Sequence, residues 1–503
     1  MTFGWFMMLP DDFENMAQSV IATNFFANNI LESITTKNYW DVGNDYKPLM
    51  HTWYVGLLMQ FYLVIPFIIF IVGRFIHDVY RRRKVTILCL SIIAVTSLIL
   101  NLLSNDACSK FYYLQFRLYE FCAGSIAFYL FCNEKNKFTR SIAVEVIYCS
   151  LYFIILIILF VENDFISSQF RLFLIVILST VLIVMMSRVK ISQNALFSNK
   201  WIAAVGASSY SIFVWHQVIF AFARYSFTNN LMGVVPLLSV TFLTIIVSAF
   251  SYKYIETIKT SKMIVASSCM LVILTTVISL YVYSNAGVVR DVPELEVFRR
   301  NVHRGMWAEY CDRRYEYDKD FSNSVTPKWY VIGNSFGRDM VNVIAESDVL
   351  DMVEVSYSDV GKYQNEKGRF SKADVVFLST LGLNEKLIND VQSYCHGRTK
   401  LYIIGEKNFG ENNGQIYRHR YSDDYHSLTV RMEDGYEEKN NWMKSRYCNI
   451  YVDMIEMVKT PNGKVRVFTD DNHFISQDCR HLTKAGARFY AKRMDWNRFL
   501  LKE

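Results

Sequence analysis

The chain has 503 residues, of which 52% are hydrophobic and 16% aromatic, and its formal net charge is +6. This mild charge, without any long block of like-charged residues, excludes a polycationic nucleic-acid-binding tail, and no nucleic-acid partner is expected. Long apolar runs fill residues 1–285, whereas charged and turn-forming residues concentrate after them, so the composition excludes a uniformly soluble chain and indicates two parts.

The apolar runs predict a polytopic α-helical membrane domain over residues 1–284. A membrane-spanning helix needs roughly 20 mostly apolar residues. Eight stretches meet or approach this length, at about 52–73, 85–103, 111–131, 142–161, 170–186, 201–224, 231–252 and 263–284. Residues 1–10 lack a basic leader and are predicted to be the end of a helix, and the weaker stretch 17–34 is predicted to be an interfacial or re-entrant helix.

Loop charges predict the orientation of these spans. One set of alternate loops is basic, with Arg74, Arg81, Arg82, Arg83, Lys84, Lys135, Lys137, Arg140, Arg188, Lys190, Lys200, Lys253, Lys259 and Lys262. Because cytoplasmic loops carry an excess of Lys and Arg, this set is expected in the cytoplasm and the chain after 285 outside it. That outer part holds four cysteines, an even number that leaves disulfide formation open: Cys311, Cys395, Cys448 and Cys479.

Ionisable side chains within the apolar half are candidate functional residues, because charge is costly at membrane depth. Arg117 and Glu120 are three residues apart on one helical face, so they can pair or bind a charged ligand. His51 lies at the start of the first long span, and Tyr210 and His216 lie in the sixth. The alternative interpretation of all five is an internally satisfied polar cluster that fixes helix packing.

The outer part predicts a linker and an α/β domain. Residues 285–325 are rich in charge and are expected to form only local structure. From 326 to 503, strand-like and helical segments alternate, which predicts a three-layer fold with a mostly parallel sheet between helices. The strand-like runs are 328–332, 352–356, 374–380, 400–404 and 464–468. Active sites in such sheets lie at the carboxyl ends of the strands.

A serine, a histidine and an aspartate in this domain have the pattern of a nucleophilic site. Ser335 follows the first strand in a Gly-Asn-Ser turn that opens a helix, whose N-terminus favours negative charge. Near the end of the chain, Asp478 precedes His481 by three residues, so its carboxylate can orient the imidazole as a general base. His473 is a competing base, and a helix is predicted over 483–500.

Donors for an oxyanion hole are predicted at three places. They are the backbone amide of Ser335, the side-chain amide of Asn384 after the strand 374–380 and the backbone amide of Gly361 in the loop after the strand 352–356. No metal site is expected. Each motif is weak by itself, because a serine after a strand is commonly a helix cap. The prediction depends on all of them following predicted strands in order.

The chain resembles the acyltransferase-3 family of polytopic membrane O-acyltransferases in four stretches. They are Pro48-Leu49-Met50-His51-Thr52-Trp53 with Gln60-Phe61-Tyr62, Phe116-Arg117-Leu118-Tyr119-Glu120, Ser208-Ser209-Tyr210-Ser211-Ile212-Phe213-Val214-Trp215-His216, and Ser251-Tyr252-Lys253-Tyr254-Ile255-Glu256. The outer part resembles the SGNH domain fused to many members. It matches at Gly333-Asn334-Ser335 for the nucleophile, Asn384 for the oxyanion hole and Asp478-Cys479-Arg480-His481-Leu482-Thr483 for the base.

The resemblance implies an enzyme of the bacterial plasma membrane whose C-terminal domain is periplasmic or extracellular. It implies transfer of an acyl group, expected to be acetyl, from cytoplasmic acyl-CoA to hydroxyls of a surface glycan such as O-antigen, exopolysaccharide or peptidoglycan. The membrane stage would use His51, Arg117, Glu120, Tyr210 and His216, and the SGNH domain would complete the transfer. A glycan esterase anchored in the membrane and an inactive remnant or transport scaffold remain alternatives.

The chain departs from the family pattern in two places. Family members begin with an earlier helix that carries a basic residue and, some ten positions later, a histidine. No such segment precedes Met1, so we expect the chain to start at about the third helix of the family fold, N-terminally truncated relative to the family. Leu58 and Met59 stand where many members carry two acidic residues before the Gln-Phe-Tyr motif.

Overall fold

The structure, a computed structural model, describes residues 1–35, 43–132, 142–160, 167–188, 199–226, 233–300 and 308–500. The N-terminal half is helical throughout these ranges. Its α-helices are α1 (Thr2–Met7), α2 (Pro10–Asn24), α3 (Asn28–Thr35), α4 (Thr52–Phe75), α5 (Val79–Leu103), α6 (Ala107–Tyr112), α7 (Leu118–Ala127), α8 (Ile142–Phe160), α9 (Ser168–Arg188), α10 (Lys200–Ala207), α11 (Ser209–Arg224), α12 (Val234–Ser251) and α13 (Lys262–Ser284).

Within the described ranges, five helices are long and apolar enough to cross a membrane. They are Thr52–Phe75, Val79–Leu103, Gln169–Met186, Val234–Glu256 and Lys262–Ser284, and they coincide with five of the predicted spans. Apolar helices of this length fit a multi-pass membrane domain. The predicted ends at 161 and 231–232, and the loop residues Lys135, Lys137, Arg140 and Lys190, lie outside the described residues.

Two predicted spans are interrupted in the structure. The stretch 201–224 bends by 63° between α10 and α11. Ser208 lies at this bend, and its hydroxyl donates to the Ala204 carbonyl at 3.0 Å, a bond that competes with the helical ladder. The stretch 111–131 is divided into α6, a 3₁₀ turn and α7, and Arg117 at the start of α7 has a non-helical φ of −121°.

The stretch 17–34, predicted to be an interfacial or re-entrant helix, is divided between α2 and α3. The chain breaks between α2 and α3, where Phe26 has a φ of +53°. Helix α2 packs along α13, and the Asn24 side-chain amide donates to the hydroxyls of Thr275 and Thr276 at 3.0 and 2.9 Å. Because a polar side chain inside this half needs partners, these bonds favour packing against α13 over a separate interfacial position.

The C-terminal half is an α/β domain, here called the outer domain. It follows a 3₁₀ turn at Pro293–Leu295 and α14 (Ala308–Glu316), which lie in the predicted linker. Its elements are β1 (Lys328–Gly333), α15 (Ser335–Ala345), β2 (Glu354–Asp359), α16 (Lys367–Lys372), β3 (Val375–Ser379), α17 (Glu385–Tyr394), β4 (Lys400–Ile404), α18 (Gly414–Tyr417), β5 (Thr429–Val430), α19 (Tyr436–Arg446), β6 (Tyr451–Val452), β7 (Val465–Arg466) and α20 (Lys484–Ala491).

The predicted parallel sheet is present, with strand order β2-β1-β3-β4-β6. All four neighbouring pairs are parallel, and Trp329 in β1 pairs with both Val355 in β2 and Val375 in β3. From β1 the chain continues to β2 on one side of the sheet, whereas from β3 it continues to β4 on the other side. The point between β1 and β3 is therefore a topological switch point. Such a switch point leaves a crevice at the carboxyl ends of the strands.

Helices cover both faces of the sheet. Side chains alternate along β1, so Trp329 and Val331 face one hydrophobic core and Tyr330 and Ile332 face the other. Helices α15 and α20 pack in the first core, and α16, α17 and α19 contribute to the second. The domain therefore has three layers, with both faces of its sheet buried.

Two local predictions for this domain are wrong. The run 464–468 does not join the main sheet. Its residues in β7 pair antiparallel with β5, and the fifth strand of the main sheet is β6. The helix predicted over 483–500 ends at Ala491. The Trp496 indole donates to the Ala491 carbonyl at 2.8 Å, which satisfies the helix end with a side chain from the following segment.

Candidate active site

Ser335 is the first residue of α15, and Asn334 alone separates it from the carboxyl end of β1. The close approach of the chain requires Gly333, because a Cβ there would lie 1.8 Å from the Ser379 carbonyl oxygen. Asn334 caps α15, and its side-chain oxygen accepts the Phe336 N–H at 3.0 Å. The local sequence thus places the Ser335 hydroxyl at the positive end of a helix, on the crevice side of the sheet.

The predicted proximity of Ser335 and His481 is observed. The Ser335 Oγ lies 2.9 Å from His481 Nε2, and His481 Nδ1 lies 2.5 Å from an Asp478 carboxylate oxygen. The imidazole is fully buried, at 0% exposure. Opposite nitrogens of one ring therefore contact the hydroxyl and the carboxylate. In this arrangement a neutral histidine can take the serine proton while the carboxylate holds its tautomer.

The turn that carries Asp478 keeps its carboxylate ionised. Asp478 Oδ1 accepts the backbone N–H groups of Arg480 at 3.0 Å and His481 at 2.7 Å. Cys479, which lies between Asp478 and Arg480, adopts a left-handed φ of +68°. Burial acts to raise the pKa of Asp478, but the His481 imidazole and these hydrogen bonds outweigh it and lower the pKa to about 2. The predicted competing base, His473, instead contacts Asp471 at 3.5 Å.

A buried charge cluster behind this site was missed in the sequence. The Asp339 carboxylate lies 3.0 Å from the Arg338 guanidinium and 2.9 Å from the Lys407 ammonium, and all three side chains are 3% exposed or less. Asp339 also accepts the Leu482 N–H at 3.0 Å. The sequence offered one indication of this cluster, the adjacent Arg338 and Asp339 shortly after Ser335. Charged pairs of this kind commonly face solvent on a helix, so the pair did not predict burial.

The two further oxyanion donors proposed from the sequence bind partners within their own loops. The Asn384 side chain caps α17, accepting the Leu387 N–H at 3.0 Å and donating to the Gly382 carbonyl at 3.1 Å. The Gly361 N–H donates to the Asp359 carboxylate at 2.9 Å. These local bonds need no oxyanion, so the roles of Asn384 and Gly361 stay predictions. Gly361 is the weaker candidate, because its single N–H is already used.

The four outer cysteines, for which a disulfide was left open, are free thiols: Cys311, Cys395, Cys448 and Cys479. Two of them are donors in hydrogen bonds. The Cys395 thiol lies 3.5 Å from the Val391 carbonyl and the buried Cys479 thiol 3.3 Å from the Asn413 side-chain oxygen. Cys395 and Cys479 therefore act as hydrogen-bond donors to neighbouring oxygen atoms.

In the N-terminal half, Arg117 and Glu120 form the predicted pair. The guanidinium binds the carboxylate through two bonds, of 3.0 and 3.1 Å, and both side chains are less than one-fifth exposed. The same guanidinium lies over the rings of Trp53 and Phe111, each 5.4 Å from the ring centroid. Two parallel bonds hold the guanidinium plane in one orientation.

His51 and His216 meet although they belong to segments far apart in the chain. Their ring centroids are 4.5 Å apart, and Phe213 stacks on His51 at 5.5 Å. His216 Nδ1 contacts the Ile212 carbonyl at 3.1 Å. The Nδ1 atom of His51 is buried without a hydrogen-bond partner in the part of the chain that the structure describes. A buried polar atom of this kind commonly marks a place where a ligand or water binds.

Tyr210 is not part of this histidine pair. It precedes His216 by six residues on α11, a rotation of about 240° that places the two side chains on different faces. Its side chain is 51% exposed. The neighbouring Ser211 instead donates to the Glu256 carboxylate at 2.8 Å. The buried ion pair of Lys47 with Glu32, at 3.0 Å, was also missed in the sequence.

Comparison with known proteins finds a family match for the helical half. Residues 3–253, which run from α1 to the end of α12, match the family described as "Acyltransferase domain". "Putative O-acetyltransferase SACOL0978" of Staphylococcus aureus strain COL is 26% identical over 260 residues. These residues cover 50% of this chain and 42% of that protein. "O-acetyltransferase OatA" of Staphylococcus aureus strain NCTC 8325 / PS 47 is 24% identical over 263 residues, covering 49% and 42%.

The family match lies in the helical half, and the chain spans less than half the length of these two curated relatives. No solved structure matches the chain. Three of the helices long enough to span a membrane, Thr52–Phe75, Val79–Leu103 and Gln169–Met186, lie entirely within the matched residues. Residues 3–253 of this chain are therefore an acyltransferase domain.

Proposed function

We propose that the chain is an O-acyltransferase that moves an acyl group, expected to be acetyl, from cytoplasmic acyl-CoA to hydroxyls of a bacterial surface glycan. The proposal depends on one observation in particular, the contacts of His481 with Ser335 at 2.9 Å and with Asp478 at 2.5 Å. The acyltransferase domain over residues 3–253 supports the first stage, and the relatives named O-acetyltransferase support acetyl as the group.

The first proposed stage takes place in the helical half. The paired rings of His51 and His216 supply an acid or base, and the Arg117–Glu120 pair positions the donor. Tyr210, being exposed, is a candidate contact for the acyl chain. We place this half in the plasma membrane, with the outer domain on the non-cytoplasmic side, on the strength of the loop charges.

The second proposed stage is acyl transfer through Ser335. His481 Nε2 takes the hydroxyl proton as Oγ bonds to the acyl carbon of the group that the helical half delivers. The bond between that carbon and its carrier breaks, and His481 gives the proton to the departing carrier. A sugar hydroxyl then attacks the serine ester and gives its proton to His481, which returns it to Oγ as the ester bond breaks. General-base assistance contributes roughly 10²–10⁴-fold, and an oxyanion donor such as the Ser335 amide adds about 10²–10³-fold.

Replacement of the nucleophile tests this proposal. Ser335→Ala should abolish O-acetylation of the glycan in cells that depend on this chain, measured as acetate released by alkali from purified glycan. Ser371→Ala is the matched control, because Ser371 is an exposed serine of the same domain whose hydroxyl donates to the Gly368 carbonyl of its own helix. Glycan acetylation that persists at the wild-type level in Ser335→Ala contradicts the two-stage mechanism.

Hydrolysis by the same residues is separated from transfer by an acceptor assay. The purified full chain in lipid nanodiscs is given a chromogenic acetyl ester with and without a sugar acceptor. A transferase should release the chromophore faster when the sugar is added and should form acetylated sugar. An equal rate with no acetylated sugar would identify a glycan esterase instead.

A further inference from the structure

A short segment of the outer domain lies between the helical half and the turn that carries the general base. We call residues 409–417 the coupling segment. On one side it contacts Tyr46, whose hydroxyl lies 2.9 Å from the Glu411 carboxylate and accepts the Gln415 amide at 2.5 Å. Gln415 also donates to the Arg224 carbonyl at 3.3 Å. Gln415 and Tyr46 are buried, so this contact excludes water.

The same side of the segment fits tightly against Tyr225. A Cβ added to Gly414 would lie 2.6 Å from a ring carbon of Tyr225, whose side chain is fully buried. The Tyr225 hydroxyl donates to Asp12 at 2.9 Å, and Asn412 donates to the same carboxylate at 3.0 Å. Hydrogen bonds therefore join the coupling segment and the end of α11 to the start of α2. The Gly414–Tyr225 contact leaves no room for a side chain at position 414.

The other side of the coupling segment holds the Asp478–His481 turn. The buried Asn413 donates to the Ser476 carbonyl at 2.5 Å and accepts the Cys479 thiol at 3.3 Å. The Phe409 N–H donates to the Cys479 carbonyl at 2.7 Å. Cys479 is the residue with the left-handed backbone between Asp478 and His481, so these bonds act on the backbone that sets the imidazole position.

We propose that the coupling segment makes the reactivity of Ser335 depend on docking of the outer domain onto the helical half. When the outer domain is docked, the coupling segment holds the Asp478–His481 turn so that His481 reaches the Ser335 hydroxyl. When the domain is not docked, the turn loses its hydrogen bonds to Asn413 and the imidazole moves out of hydrogen-bond range of Ser335. A displacement of about 1 Å is enough to lower a rate by 10²-fold. Such coupling would confine formation of the serine ester to the place where the helical half delivers the acyl group.

This inference rests on the proposed role of Ser335, and one probe tests the two separately. A fluorophosphonate reacts covalently with activated serines and requires neither acyl donor nor acceptor. Tyr46→Phe removes one hydroxyl from the helical half, and we expect labelling of Ser335 in the full chain to slow by at least about tenfold. Tyr281→Phe is the matched control, because Tyr281 is 56% exposed on α13, and it should label at the wild-type rate.

A second pair of variants tests the tight fit at Gly414. Gly414→Ala places a methyl group against the Tyr225 ring and should also slow labelling at least about tenfold. Gly368→Ala is its control, since a Cβ at Gly368 meets nothing within 4 Å. The thermal unfolding midpoint of the outer domain is measured for each variant. A loss of labelling accounted for by unfolding counts against coupling.

The outcomes distinguish the two proposals. Slower labelling in Tyr46→Phe and Gly414→Ala, with folded protein and unchanged controls, supports coupling. Wild-type labelling rates in both variants overturn coupling and leave the role of Ser335 intact. If the wild-type chain labels no faster than Ser335→Ala, the proposed function and the coupling inference both fail.

Discussion

The Asp339 carboxylate accepts the backbone N–H of Leu482 at 3.0 Å, which joins the helix of the nucleophile to the residue after the general base. The same carboxylate binds Lys407 and Arg338. The two positive neighbours outweigh the effect of burial, which by itself would raise the pKa of Asp339, and hold that pKa below its usual value. The buried cluster thus fixes the position of α15 relative to His481.

Neutralising this carboxylate should destabilise the outer domain strongly. Asp339→Asn leaves two buried cations with one fewer counter-charge, and loss of one partner of a buried pair typically costs about 3–5 kcal/mol. The free energy of unfolding, from urea titration of the solubilised full chain, measures this loss. Asp434→Asn is the control, because Asp434 and its partner Arg431 are exposed, and a change within about 0.5 kcal/mol is expected. If the free energy of unfolding of Asp339→Asn falls no more than that of Asp434→Asn, the buried cluster does not stabilise the domain.

The identity of the general base is tested by replacing each of two histidines with alanine in turn. His481→Ala should slow fluorophosphonate labelling of Ser335 by about 10²–10⁴-fold, because the group that takes the hydroxyl proton is removed. His473→Ala should label like the wild type, since His473 contacts Asp471 instead. The reverse result would make His473 the base and would contradict the mechanism proposed here.

Acid should remove a stabilising contribution of Asp478. The pKa of Asp478 in the folded protein is about 2, below the ordinary value of 3.8 for an aspartate. A carboxyl group whose pKa is lower in the folded state stabilises the fold at every pH above its unfolded-state pKa. This contribution is lost as the pH falls through the folded-state pKa. It amounts to about 2 kcal/mol above pH 5 and disappears between about pH 4 and pH 2. The unfolding free energy of wild type minus that of Asp478→Asn should shrink over this window. A constant difference would contradict the assignment.

Changes at Arg117 should separate the two stages. Arg117→Lys keeps the charge but cannot form both bonds to Glu120, so positioning of the donor should suffer. We expect acetylation of the glycan by the full chain to fall at least about tenfold. Fluorophosphonate labelling of Ser335 needs no donor and should remain. Unchanged glycan acetylation would restrict the Arg117–Glu120 pair to a packing role.

The candidate site could be predicted from the sequence where its signals are local. The strand followed by Gly-Asn-Ser indicated a helix start at Ser335, and three-residue spacing placed Asp478 against His481. The cluster of Arg338, Asp339 and Lys407 could not be predicted in this way. Charged residues in a helix and after a strand are normally solvated, and their burial depends on how α15 packs against distant elements.

Similar reasons explain the errors in the fold. The β6 strand has two residues, too few for an alternating pattern, so the longer run at 464–468 was assigned to the sheet instead. The bend at Ser208 and the packing of α2 on α13 depend on hydrogen bonds to individual hydroxyl groups, which hydropathy does not detect. In the last two cases a few polar contacts outweigh the local tendency of the chain.

The sequence by itself determined the division into an apolar helical half and an α/β half, because hydropathy and strand–helix alternation are properties of neighbouring residues. It also placed the serine at a strand end and the aspartate beside its histidine. Only the tertiary structure brought Ser335 to His481 across 146 positions, paired His51 with His216, and docked the coupling segment against Tyr46 and Tyr225. Those contacts arise from packing between distant elements, and such packing is not encoded in any local pattern.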